Sequence, residues 1–163
     1  MRPAIKRSDL LNGDIHGRNR PIRPPWALDE MAFRNACNSC GDCLKKCPAR
    51  IIEFGRGRLP RIDFAQGECL FCGDCAEACK TGALLRKTDQ AAWRVRALID
   101  EQRCLATRNI ECRSCQDPCE SRAIRFLAAV GSVSRPSLAA DHCNGCGACF
   151  AVCPVKAIGM TVI

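Results

Sequence analysis

The chain has 163 residues, 16 of them cysteine, with a formal charge of +8, 5% aromatic residues and no tyrosine. Cysteine at this density marks a fold held by disulfides or by metal, and a chain of this length cannot rest on a large apolar core. No run reaches the ~18 apolar residues that cross a bilayer, so no membrane-spanning segment is expected.

Residues 1–32 hold no cysteine and read as an N-terminal arm. Its first ten residues carry no apolar stretch after their basic positions, so no export signal is expected and the expected location is cytoplasmic. Disulfides are rare in that reducing compartment, which makes the cysteines ligands rather than bridges. Arg23-Pro24-Pro25-Trp26 is a stiff extended segment ending in a large aromatic. Trp26 either packs on the cysteine-bearing part of the chain or docks onto a partner.

The first cysteine group is Cys37, Cys40, Cys43 and Cys47, and the second is Cys69, Cys72, Cys75 and Cys79. The third is irregular: Cys104, then seven residues, then Cys112, Cys115 and Cys119. The fourth is Cys143, Cys146, Cys149 and Cys153. Groups one, two and four share the form C-x2-C-x2-C-x3-C, the run of bacterial [4Fe-4S] ferredoxins. Three thiolates spaced this way wrap three iron corners of one cubane. The fourth lies about one helical turn on and reaches the neighbouring cluster.

The expected ligand sets therefore cross between groups. They are Cys37, Cys40, Cys43 with Cys79; Cys69, Cys72, Cys75 with Cys47; Cys104, Cys112, Cys115 with Cys153; and Cys143, Cys146, Cys149 with Cys119. Four clusters are expected, or three if the irregular group is incomplete, Cys104 being the ligand in question. Gly41, Gly73, Gly145 and Gly147 lie inside the loops, where a missing Cβ lets backbone N–H groups face cluster sulfur. Zinc knuckles normally supply four ligands to one ion across a longer spacer, and this crowding of four cysteines does not suit them.

Apolar pairs follow each last cysteine at the same offset: Ile51-Ile52, Ala83-Leu84, Ala123-Ile124 and Ala157-Ile158. The groups are copies of one repeat, each with a short helix leading to a strand. Residues 51–54 and 59–64, about the Gly55-Arg56-Gly57 turn, read as a β-hairpin with Ile62 and Phe64 inward. Residues 92–99 read as a strand opening the second half. A second hairpin pairs residues 124–128 with a strand near 137–140, turning near Gly131-Ser132. The fold expected is α+β: the arm, then two tandem bacterial-type 2[4Fe-4S] ferredoxin modules at 33–88 and 92–163.

Four clusters bound by thiolates contribute about −8, so the basic residues act as counterions, Lys45, Lys46, Lys80, Arg113 and Arg122 among them, and nucleic acid is not an expected partner. His16 and His142 are the only histidines. His142 reads as a solvated neighbour of Cys143. No Ser/His/Asp or Cys/His set is visible, so no catalytic residue and no enzyme is expected.

With these motifs in hand, the chain resembles the NapF family, ferredoxin-type proteins of the periplasmic nitrate reductase system. Three stretches carry the resemblance: Arg23-Pro24-Pro25-Trp26; Glu111-Cys112-Arg113-Ser114-Cys115-Gln116-Asp117 with Cys119-Glu120; and Cys143-Asn144-Gly145-Cys146-Gly147-Ala148-Cys149 running to Cys153-Pro154. It implies a cytoplasmic iron–sulfur protein whose partner is the precursor of the reductase's molybdenum-containing catalytic subunit. The implied task is maturation of that subunit before export, by electron transfer or iron–sulfur assembly. Spacing and composition by themselves indicate a multi-cluster electron carrier, and the alternative is a general soluble carrier between a donor and a reductase. An arm at 1–32 suits precursor binding better than simple carriage.

Overall fold

The computed structural model describes residues 21–87 and 90–163. Most of the arm, with His16, lies outside the described residues. Its last part does not project from the molecule. The Ile62 N–H donates to the Ile22 carbonyl, the Trp26 N–H to Ala92 at 2.6 Å, and the Leu28 N–H to Ala83. The Leu85 N–H returns a bond to the Trp26 carbonyl, across a short bridge between Ala27 and Leu84. Pro24 and Pro25 are fully buried. Arg23 binds both oxygens of Glu30 at 2.7 and 2.8 Å, donates to the Pro60 carbonyl, and lies over the Phe33 ring. Of the two readings of Trp26, packing is the one observed, and the residue is half-buried.

Helix α1, Glu30–Ala36, follows directly. The Asp29 carboxylate caps it by accepting from the Ala32 N–H, and Glu30 and Arg34 set the charge order that a helix dipole favours. Phe33 anchors it at 1% exposure.

The remaining elements are short: α2 (Asp42–Lys46), β1 (Ile52–Phe54), β2 (Pro60–Ile62), α3 (Asp74–Glu77), β3 (Val95–Ile99), β4 (Ile124–Ala129), β5 (Ser132–Leu138), α4 (Ala148–Ala151) and β6 (Ile158–Val162). Strands β1 and β2 form the first hairpin, with Ile52 opposite Ile62 and a tight turn at Arg56–Arg58. Strands β4 and β5 form the second, Ile124 opposite Leu138. β5 begins at Ser132, earlier than the alternation suggested. Pro136 sits within it opposite Phe126, tolerated because a strand of a two-stranded sheet has a free edge.

The third sheet joins distant segments. β3 pairs antiparallel with β6, from Val95 opposite Val162 to Ile99 opposite Ile158. Two apolar cores result. One gathers Phe33, Ile51, Ile62, Phe64, Leu84 and Val95; the other gathers Ala97, Ala123, Ile124 and Ile158. Phe150 and Met160 pack against both. The molecule is thus a mixture of small helices and hairpins, with the repeated apolar pairs at its centre. Among the described residues no helix is long and apolar enough to cross a membrane.

Candidate metal centres

Three of the four cysteine loops turn into a helix on a glycine in the left-handed region. Gly41, Gly73 and Gly147, at φ 82, 96 and 88°, open helices α2, α3 and α4 immediately after a cysteine. Such a φ carries little cost only for glycine. The third group has Arg113 after Cys112 instead, and no helix forms there. A second left-handed position recurs three residues beyond each last cysteine: Arg50, Gly82, Arg122 and Lys156. Their N–H groups donate to the carbonyls of Cys47, Cys79, Cys119 and Cys153. That turn sends the apolar pair inward, and all eight paired residues are at most 6% exposed.

The thiols gather in sets drawn from different groups. Burial pushes the Cys43 thiol up to about 11, with Cys37, Cys40 and Cys79 adding to the rise and the Leu44 N–H opposing it. Burial likewise drives Cys75 to about 12, with Cys69, Cys47, Cys72 and Cys43 acting in the same direction. Cys69 is raised to about 11 by burial against the pull of the Phe71 N–H, with Cys47, Cys72 and Cys146 adding to the rise. Cys115, raised to about 11 by burial, faces Cys104, Cys153 and Cys112. Cys149 is pushed to about 12 by burial and then by Cys146, Cys143, Cys115 and Cys119.

Two clefts outline two of these sets in space. One is walled by Cys47, Cys69, Cys72 and Cys75 beneath Pro25, Trp26 and Ile52. The other is walled by Cys104, Cys112, Cys115 and Cys153 beneath Ile99, Phe126 and Ile158. Cys104 reaches the second because its seven-residue spacer is coiled. Its own N–H donates to the Asp100 carbonyl, and its carbonyl accepts from Arg108 N–H and the Thr107 hydroxyl. Ala106 is buried under that turn.

The donor chemistry fits an iron–sulfur cluster. Backbone N–H groups point at sulfur: Phe71 at Cys69, Leu84 at Cys79, Ile124 at Cys119 and Ala157 at Cys153, at 3.1 to 3.4 Å. Thiols that raise one another's pKa become thiolates together only when iron compensates their charge. Among the described residues no three His, Cys, Asp or Glu side chains converge as one mononuclear ion requires. A cubane instead holds its ligands apart across its own width.

Several contributors carried little signal in the sequence. Arg86 donates to the Cys72 carbonyl and lies over the Trp26 ring, where a Cβ on Gly73 would crowd it. Hydroxyls of Thr81, Ser114 and Ser121 lie 3.6 to 3.7 Å from Cys79, Cys112 and Cys119. Thr81 and Ser121 hold the same repeat position, two residues past the last cysteine, a signal that alignment of the repeats exposes. His142 is exposed. Of the basic residues read as counterions, Lys45 pairs with Asp42, and Arg113 with Glu111.

The sequence pattern of the 4Fe-4S dicluster domain family matches residues 36–83 and again 103–157. The ferredoxin-type protein NapF of Escherichia coli K12 is 39% identical over 158 residues, which cover 97% of this chain and 95% of that protein. Ferredoxin-type protein NapF of Haemophilus influenzae is 45% identical over 139 residues, covering 85% of this chain and 78% of the relative. The methylamine utilization ferredoxin-type protein MauM of Methylorubrum extorquens is 31% identical over 163 aligned positions, covering 88% and 73%.

Proposed function

The chain belongs to the NapF family of ferredoxin-type proteins, built on 4Fe-4S dicluster domains and carrying multiple [4Fe-4S] clusters, and from that premise we propose that it assists maturation of the catalytic subunit of periplasmic nitrate reductase before export. The partner is the cytoplasmic precursor of that subunit, and the contribution is electron transfer or iron–sulfur assembly. The chain acts as an electron-transfer or assembly protein and not as an enzyme.

Residues 33–88 and 92–163 form tandem modules, each holding two clusters. Cys37, Cys40, Cys43 and Cys79 hold one, and Cys47, Cys69, Cys72 and Cys75 the next. Cys104, Cys112, Cys115 and Cys153 hold the third, and Cys119, Cys143, Cys146 and Cys149 the fourth. When bound, such clusters supply one-electron redox chemistry. The chain's part is to supply thiolates, aim N–H groups at their sulfurs and cover them with the buried apolar pairs. The observation supporting these sets is the pair of clefts, each walled by four cysteines from two groups.

General electron carriage is a second reading, favoured by one feature. Residues 22–28 are committed to internal contacts, so Trp26 is not held out for a partner. Affinity capture from anaerobic cytoplasm separates the two. Retention of the reductase precursor, with activity gained by the captured subunit, supports maturation. Capture of several unrelated redox proteins without the precursor supports carriage.

A further inference from the structure

Loops of the second and fourth cysteine groups meet directly. The Cys69 N–H donates to the Cys146 carbonyl at 2.8 Å, although the two lie 77 positions apart in the chain. An aromatic cluster holds this contact. Trp93 packs edge-on against both Phe64 and Phe71, with ring centres 5.9 and 5.7 Å apart, and Phe150 lies 6.3 Å from Phe64. The Trp93 indole N–H donates to the Asn144 carbonyl at 3.0 Å, tying the ring to the fourth loop.

The fit leaves no spare room. A Cβ on Gly147 would overlap the Phe64 ring, and one on Gly145 would overlap the Val95 carbonyl. Phe71 belongs to the second loop, Trp93 to the segment leading into β3 and Phe150 to α4. The join therefore combines a backbone hydrogen bond between two cysteine-loop residues with an aromatic cluster built on buried Phe64, the other three rings being half-buried. Joins of this kind fix orientation more tightly than a flexible linker can.

We propose that this join makes the protein one electron conduit, in which the four sites lie in the order group one, group two, group four, group three. An electron supplied by an external one-electron donor at one end passes between the halves at the Cys69–Cys146 contact and leaves to an external one-electron acceptor at the other. The site of one half is oxidised by one electron as its neighbour is reduced, with no proton or bond exchanged. Trp93 and Phe64 are positioning residues: they hold the ligand loops together and ligate nothing. The inference rests on the ligand sets proposed above.

The test uses anaerobically purified full-length protein, assayed for iron and acid-labile sulfide, then reduced stepwise with dithionite and followed by EPR. The variants are Trp93→Phe, which loses the indole donor, and Phe64→Leu, which loses the ring contact. The wild type is expected to show spin–spin interaction linking the second and fourth sites, beyond that within each half. Both variants should keep about sixteen iron per chain, while the inter-half interaction is weakened in Trp93→Phe and lost in Phe64→Leu. Should Phe64→Leu lose iron, Trp93→Phe decides alone. A wild type whose two halves behave as independent pairs at full iron overturns the conduit, and undiminished interaction in the variants at full iron overturns the positioning role of Trp93 and Phe64. Wild-type iron well below sixteen overturns the ligand sets, and the conduit with them.

Discussion

Cys104 is the residue on which the number of clusters turns. Its spacing departs from the repeat, yet the turn from Asp100 to Ile110 returns it to the cleft walled by Cys112, Cys115 and Cys153. That turn relies on Asn109 in the left-handed region, whose side-chain oxygen also accepts from the Val133 N–H. Cys104→Ser should lower iron from about sixteen to about twelve per chain, four being the content of one cubane. Iron analysis with visible absorbance checks this, and an unchanged content would show that Cys104 holds no cluster. The sixteen cysteines were plain in the sequence because spacing is local information. The crossed sets were expected from the repeat itself, whereas the approach of Cys69 to Cys146 was not, because it arises only through tertiary contact.

Among the elements, the first hairpin was legible because Ile52, Ile62 and Phe64 alternate around a glycine turn. β5 was only partly so. Its sequence, Ser-Val-Ser-Arg-Pro-Ser-Leu, is polar and interrupted by proline, and its residues stay largely in solvent. β6 gave no sign of its partner, since nothing local couples Met160 to Ala97 across 63 positions. Helix α1 was hidden across the boundary drawn between the arm and the first module, where seven residues with a single buried side chain leave little periodic signal. That single side chain dominates its attachment. Phe33→Ala should lower stability by about 3–5 kcal/mol, the usual cost of emptying a buried aromatic site. Anaerobic denaturant unfolding measures it. A loss under ~1 kcal/mol would mean that α1 is an appendage and not part of the first core.

At the scale of the whole molecule, little apolar material surrounds a great deal of sulfur. The longest helix described has seven residues and every sheet has two strands. Elements this short are marginal alone, for helices because nucleation is costly and for hairpins because one face stays wet. Buried thiols at about 11 or 12 remain protonated near neutral pH without iron, so they then lend the loops no metal bonds. Chelation or air oxidation should remove the brown colour and the secondary structure together. Far-UV circular dichroism followed beside visible absorbance gives the answer. An apoprotein with its own cooperative thermal transition would show that the two cores suffice.

The pairing of β3 with β6 also bears on the timing of synthesis. Ile99 meets Ile158 only after 59 further residues have been translated, an interval of about 3–12 s at ~5–20 residues per second. Until β6 emerges β3 has no strand to pair with, so Val95–Ile99 presents an open edge during that interval. In the finished fold Val95 lies among core residues of the earlier half while its strand pairs with β6, so this one strand joins both halves once the last residues are made.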